Sequence, residues 1–113
     1  MKPTTLQLFK HSLYEYEKGV RKLQMMTLTA AEAAILVERL DAASIDHYRQ
    51  EISPEKVNLF FGRAALVKTA QQIVTKPLNL LSPEEDFILG TLLGYDGEQQ
   101  CLRYLAKKAP HPQ

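Results

Sequence analysis

The chain has 113 residues, with 14 Lys and Arg against 13 Asp and Glu, a formal net charge of +1, one cysteine and no tryptophan. That length suits one domain with a radius of gyration of about 13 Å. A hydrophobic fraction of 45% and a charged fraction of 24% exclude intrinsic disorder and collagen, and the near-zero charge argues against duplex nucleic acid, whose binders concentrate Lys and Arg against phosphates.

A lone cysteine makes no internal disulfide and gives no sign of an oxidising compartment. Met1-Lys2-Pro3-Thr4-Thr5-Leu6 contains no apolar run of signal-peptide length. The longest charge-free stretches, Leu23 to Ala31 and Phe87 to Tyr95, are nine residues each. A spanning helix needs about 20. The expectation is a cytoplasmic protein with no membrane contact and no cofactor.

Leu6, Phe9, Leu13 and Tyr16 recur at helical spacing, which predicts a helix over 6–18 that stops at Gly19. Val20 to Thr27 reads as a strand. Thr29-Ala30-Ala31-Glu32 is a capping box, and the Ala-rich run behind it predicts a helix to about Ala43. Ile45 to Ile52 and Lys56 to Phe61 flank Ser53-Pro54-Glu55 and read as a β-hairpin. Closing that turn with Ser53 opposite Lys56 sets Glu51 against Asn58 and Arg49 against Phe60. Tyr48, Ile52, Val57, Leu59 and Phe61 then form the core side, while His47, Arg49, Glu51 and Asn58 face outward with Phe60 as an apolar intruder.

Arg63 to Val74 is a helix with Leu66, Val67, Ala70, Ile73 and Val74 on one stripe, and Lys76 to Leu81 is a connector. Ser82-Pro83-Glu84-Glu85 is a helix start with Ser as cap and Pro first, running to about Leu93 before Gly94. Asp96-Gly97-Glu98-Gln99 starts a last helix that reaches about Lys108. Residues 1–108 thus read as one α+β domain of order α-β-α-β-β-α-α-α: a two-layer plan in which a small three-stranded sheet carries helices on one face. Residues 109–113, with two prolines, read as a mobile tail. If Phe60 lies on the open sheet face, a second copy of the chain is its simplest cover, so a homodimer is expected.

Few residues suggest chemistry. His11 and Glu15 are one helical turn apart, which supplies too few ligands for a metal. The row His47, Arg49 and Glu51 suits a small anion or acid–base work, and suits a solvated or dimer-facing polar row equally. Cys101 sits beside Leu102 and Leu105 and reads as a buried, inert thiol. Gly90 costs a helix interior about 1 kcal/mol against Ala; a close backbone approach or a ligand lying on that helix explains it. The only basic cluster, Lys18, Arg21 and Lys22, is a solvated edge or a partner patch. His111 lies in the tail.

Leu13-Tyr14-Glu15-Tyr16-Glu17-Lys18-Gly19-Val20-Arg21, Val57-Asn58-Leu59-Phe60-Phe61-Gly62, the run from Ser82 to Asp96, and Gln99-Gln100-Cys101 together resemble a small bacterial family, domain of unknown function two-thousand-and-twenty-three. The likeness spans roughly residues 8–106. The resemblance implies five helices and three strands in a homodimer, and genes lying beside flavodoxin genes. It implies no activity and no catalytic residues.

Two functional readings follow. One is a non-enzymatic homodimeric interaction or accessory protein, motivated by the lack of a nucleophile–base pair, metal set or phosphate loop. Its partner by resemblance is a flavodoxin, whose acidic surface would meet Lys18, Arg21 and Lys22. The other is a small-ligand-binding or enzymatic domain with a pocket at the dimer seam, walled by His47, Arg49, Glu51 and Asn58 beside Phe60.

Overall fold

The structure is a computed structural model and describes residues 1–110. It contains α1 (Pro3–Glu17), β1 (Leu23–Thr29), α2 (Ala30–Ala42), β2 (Asp46–Glu51), β3 (Lys56–Gly62), α3 (Ala64–Ile73), α4 (Pro83–Leu92) and α5 (Gly97–Lys108), with a 3-10 turn at Leu78–Leu80 ahead of α4. The class is α+β and the order α-β-α-β-β-α-α-α is the one the sequence predicts. The end of the predicted tail, including His111, lies outside the described residues.

Local signals place the helix ends. Both predicted capping boxes form: the Thr29 and Ser82 hydroxyls each accept from the amide of the Glu three residues on, at 3.1 Å, and each Glu carboxylate takes the cap amide in return. Three helices close in the same Schellman pattern. After α1, Gly19 and Val20 donate to the Tyr16 and Glu15 carbonyls; after α4, Gly94 and Tyr95 donate to those of Thr91 and Gly90. The two glycines take φ +75°, as their role requires. After α2 the left-handed position falls to Ser44, φ +57°, whose neighbour Ile45 donates to Leu40. Gly19 sends the chain outward with Val20 exposed, which is why β1 begins at Leu23 and not at Val20.

The sheet is antiparallel with β3 in the centre, order β1-β3-β2. Its register differs by one residue from the hairpin expected. Glu51 pairs with Val57, Gln50 with Asn58, Arg49 with Leu59 and Tyr48 with Phe60. The cause is a β-bulge. Around the Pro54-Glu55 turn, the amides of both Ile52 and Ser53 donate to the Lys56 carbonyl, at 2.9 and 3.1 Å, so two residues of one strand oppose one of the other. The turn itself closes as expected, with Ser53 opposite Lys56. The extra residue then moves every β2 side chain to the other face.

The layer plan is corrected as well. Helices cover both faces of the sheet, not one. Val57, Leu59 and Phe61 pack with Met26 and Leu28 under Phe9 of α1 and Ala33, Leu36 and Leu40 of α2. Phe60 faces the opposite way and packs with Leu23, with Val67 and Ala70 of α3, and with Leu89 of α4. It is 0% exposed, so it needs no second chain to cover it. Tyr48 joins that second layer, stacking on Phe60 at 5.9 Å and donating its hydroxyl to the Val74 carbonyl, and Ile52 ends up exposed at the bulge. Neither residue belongs to the core side with Val57, Leu59 and Phe61, as the unbulged hairpin required.

Under α3 a polar chain crosses all three strands. The Thr27 hydroxyl donates to Asn58 Oδ1 at 2.7 Å, Asn58 Nδ2 to Gln50 Oε1 at 2.9 Å, and Gln50 Nε2 to the Lys76 carbonyl at 2.8 Å. Asn58 is therefore a buried internal strut, not an outward-facing residue. Beyond the sheet, α5 packs against α4 and draws the molecule out to 50 × 32 × 26 Å, with a Cα radius of gyration of 15.0 Å where a chain of this length averages about 13 Å. No helix among the described residues is long and apolar enough to cross a membrane.

Asn58→Leu should lower unfolding free energy by about 1–3 kcal/mol, because it leaves the buried Gln50 Oε1 without its donor. Urea denaturation at neutral pH measures this, and an unchanged midpoint would contradict the strut.

Several carboxylates sit below the ordinary range: Glu32 and Glu85 through the cap amides of Thr29 and Ser82, and Asp86 through the Arg103 guanidinium bound to it. A depressed acid contributes stability that is present above its unfolded value, about 4, and is lost as pH falls through its folded value. The thermal midpoint should therefore hold above about pH 5 and fall on further acidification, and Asp86→Asn should make that fall shallower. Midpoints recorded across that range for both proteins provide the check.

Candidate functional site

The sequence-predicted wall does not assemble. His47, Arg49 and Glu51 alternate along one face of β2, whereas Asn58 and Phe60 sit on the opposite face of the sheet, buried under α3 and α4. His47 Nε2 is 2.7 Å from Asp41 at the end of α2, and Arg49 lies 3.5 Å from Glu51. Both pairings lie on the α2 side of β2, at the edge of the sheet. His11 pairs with Glu15 at 2.6 Å. Among the described residues no three His, Cys, Asp or Glu side chains come together as a metal set.

The basic cluster is similarly engaged. Lys18 Nζ stands 5.6 Å above the Tyr14 ring. Arg21 reaches Glu15 at 3.5 Å and the Tyr95 ring at 6.0 Å. Lys22 is exposed.

The features that do converge lie on the α4–α5 hairpin. Pro83 and the Ser82 cap fix where α4 starts, Gly94 turns the chain back, and Asp96 caps α5 by accepting the Gln99 amide at 2.9 Å. A clasp of side chains holds the two helices together. Arg103 grips Asp86 bidentately, with Nε to Oδ2 at 2.8 Å and Nη2 to Oδ1 at 3.1 Å. Phe87 meets Tyr104 edge-on at 5.6 Å. The Tyr104 hydroxyl donates to Glu84 Oε2 at 2.9 Å, where Lys108 also arrives at 3.3 Å. These bonds hold Glu84 below the usual carboxylate range, first through the Tyr104 hydroxyl, and raise Tyr104 because its proton is the one donated.

The hairpin has two unlike sides. The outer side is an apolar groove of about 530 Å³ lined by Glu84, Phe87, Ile88, Cys101, Tyr104 and Leu105. Ile88 is 43% exposed, Leu102 54% and Leu105 61%. Cys101 opens onto this groove; it is exposed, which overturns the expected buried thiol. α5 rests on α4 through Gln100, its one buried residue, leaving Cys101 on the other side. The inner side is a recess of about 380 Å³ against the sheet, reached by Met25, Leu81, Leu89, Leu93, Gln100 and Arg103 among others. Gly90 forms part of its wall. A Cβ there would stand 2.0 Å from Gln100 Oε1, so the close approach expected at Gly90 is made by the Gln100 side chain.

The outer side of the hairpin was not anticipated from the sequence, and of the inner side only Gly90 was singled out, as a place of close approach or of a ligand lying on the helix. The signal for the outer one was present: Cys101, Leu102 and Leu105 lie within about one turn of an otherwise polar helix, and Ile88 lies off the α4 stripe set by Leu89 and Leu93. Nothing in the spacing of Gly90 and Gln100 announced the inner one.

No curated protein matches the chain. The family model described as protein of unknown function (DUF2023) matches residues 7–107, and the chain belongs to that family.

Proposed function

We propose that this protein is a non-enzymatic interaction protein acting as a homodimer, two copies pairing through the outer face of the α4–α5 hairpin. The observation that carries this reading is the apolar groove between Phe87, Ile88, Tyr104 and Leu105, bordered by the exposed Leu102. A two-fold interface must be self-complementary. This face has both halves of such a contact, a trough between the helices and apolar side chains projecting beside it. Its charges suit the arrangement as well: Glu84 and Lys108 at its border already satisfy one another, so burial against a copy brings no unpaired ion into the contact. Two hairpins meeting in this way make a four-helix layer. The buried Phe60 gives no support to a dimer through the sheet.

A flavodoxin-like acidic partner for Lys18, Arg21 and Lys22 rests on the family resemblance. Of the three cations, Arg21 is held by Glu15 and Lys18 by Tyr14, which leaves Lys22 to lead any such contact.

Sedimentation equilibrium tests the pairing. The expected result is a mass of two 12.8 kDa chains at micromolar concentration, with Leu105→Glu weakening self-association at least about tenfold. A single-chain mass up to about 100 µM would overturn the dimer. A dimer indifferent to both Leu105→Glu and Ile88→Glu would overturn this face as its interface.

A further inference from the structure

We propose that the inner recess between the α4–α5 hairpin and the sheet is a binding site for a small, uncharged, planar ring compound with a hydrogen-bond donor and acceptor side by side, the chemistry of a nucleobase edge. Gln100 lines this recess. It is 9% exposed, yet its side-chain amide has no hydrogen-bond partner among the described residues. The other buried amides are all engaged: Gln24 with the Arg21 carbonyl, and Gln50 and Asn58 in the chain across the sheet. Buried polar groups are paired as a rule. Among the described residues no side-chain polar atom is both sealed from solvent and unpaired, so the Gln100 amide keeps its access to solvent through the recess it lines.

Gly90 makes room for that amide. The Gln100 carboxamide lies where a Cβ at position 90 would be, so only glycine lets it rest against the α4 backbone at the wall of the recess. Around it, Met25, Leu81, Leu89 and Leu93 supply apolar walls, and Asn79 places a second amide among the lining groups. A volume of about 380 Å³ falls in the range of small-molecule sites, which combine apolar walls with a few polar groups.

The charge of the ligand follows from the ions present. Asp86 and Arg103 bring one charge of each sign to the recess and pair with one another through two hydrogen bonds, so the lining has no net charge to favour an ion. A carboxamide offers one acceptor and one donor edge to edge, the pairing that glutamine makes with adenine. The recess lies on the opposite side of the hairpin from the apolar groove and does not depend on the pairing of two copies.

The test is a titration of the ¹⁵N-labelled full chain with adenine, followed by amide correlation spectra. The expected result is saturable shifts at Gly90 and Gln100, with affinity weakened at least about tenfold in Gln100→Leu. The absence of saturable shifts up to about 5 mM adenine would overturn the proposal. Shifts confined to residues away from the recess, or equal affinity in Gln100→Leu, would do the same. Should Gln100→Leu lose its dispersed spectrum, Gln100→Glu, the same shape without donor hydrogens, is held to the same tenfold criterion.

Discussion

β3 has no solvent face. From Val57 to Gly62 every residue is buried, and the side chains alternate between two separate cores. A strand in that position needs helices above and below, and antiparallel neighbours on both edges to satisfy its backbone. The remaining elements answer to those needs. α1 and α2 cover Val57, Leu59 and Phe61; α3 and α4 cover Phe60; β1 and β2 take the two edges. Asn58, the polar residue in the run, is admitted because Thr27 and Gln50 stand opposite it on the two flanking strands and complete its hydrogen bonds.

The two layers have different tasks. The layer of α1 and α2 is closed by apolar contacts such as Phe9 against Phe61, at 5.7 Å. The layer of α3 and α4 contains more polar closure, from the Tyr48 hydroxyl on the Val74 carbonyl to Gln50 on the Lys76 carbonyl. These bonds pin the segment between α3 and α4, and that segment supplies Leu78, Asn79 and Leu81 to the inner recess. The strut across the sheet therefore also fixes one wall of the candidate ligand site.

Much of the fold was legible because its signals are local. Thr29 with Glu32 and Ser82 with Glu85 carry their meaning within four residues, and Gly19 and Gly94 mark helix ends by their backbone freedom. The bulge at Ile52 and Ser53 carried no comparable signal. Pro54 set the turn correctly, but whether one residue or two oppose Lys56 depends on which pairing buries the flanking side chains, and that is decided by α3 and α4 far along the chain. From this one residue came the misplacing of Tyr48 and Ile52, and with it the supposed site on β2; Asn58 and Phe60 were read as outward because no helix was expected over their face. The α4–α5 clasp was illegible for a related reason. Asp86 and Arg103, or Gly90 and Gln100, acquire their relation only when the two helices are laid side by side.

The two cores are also separated in chain order. The helices that cover Val57, Leu59 and Phe61 precede β3, and the helices that cover Phe60 follow it. As the chain leaves the ribosome, at about 5–20 residues per second, the first core has all its parts once β3 is made, while Met25, Tyr48 and Phe60 wait bare until the segment through Leu93 is complete. For a few seconds of each synthesis the nascent protein is thus a half-roofed sheet with an aromatic patch open to whatever is nearby, and the speed with which α3 and α4 arrive sets how long that window stays open.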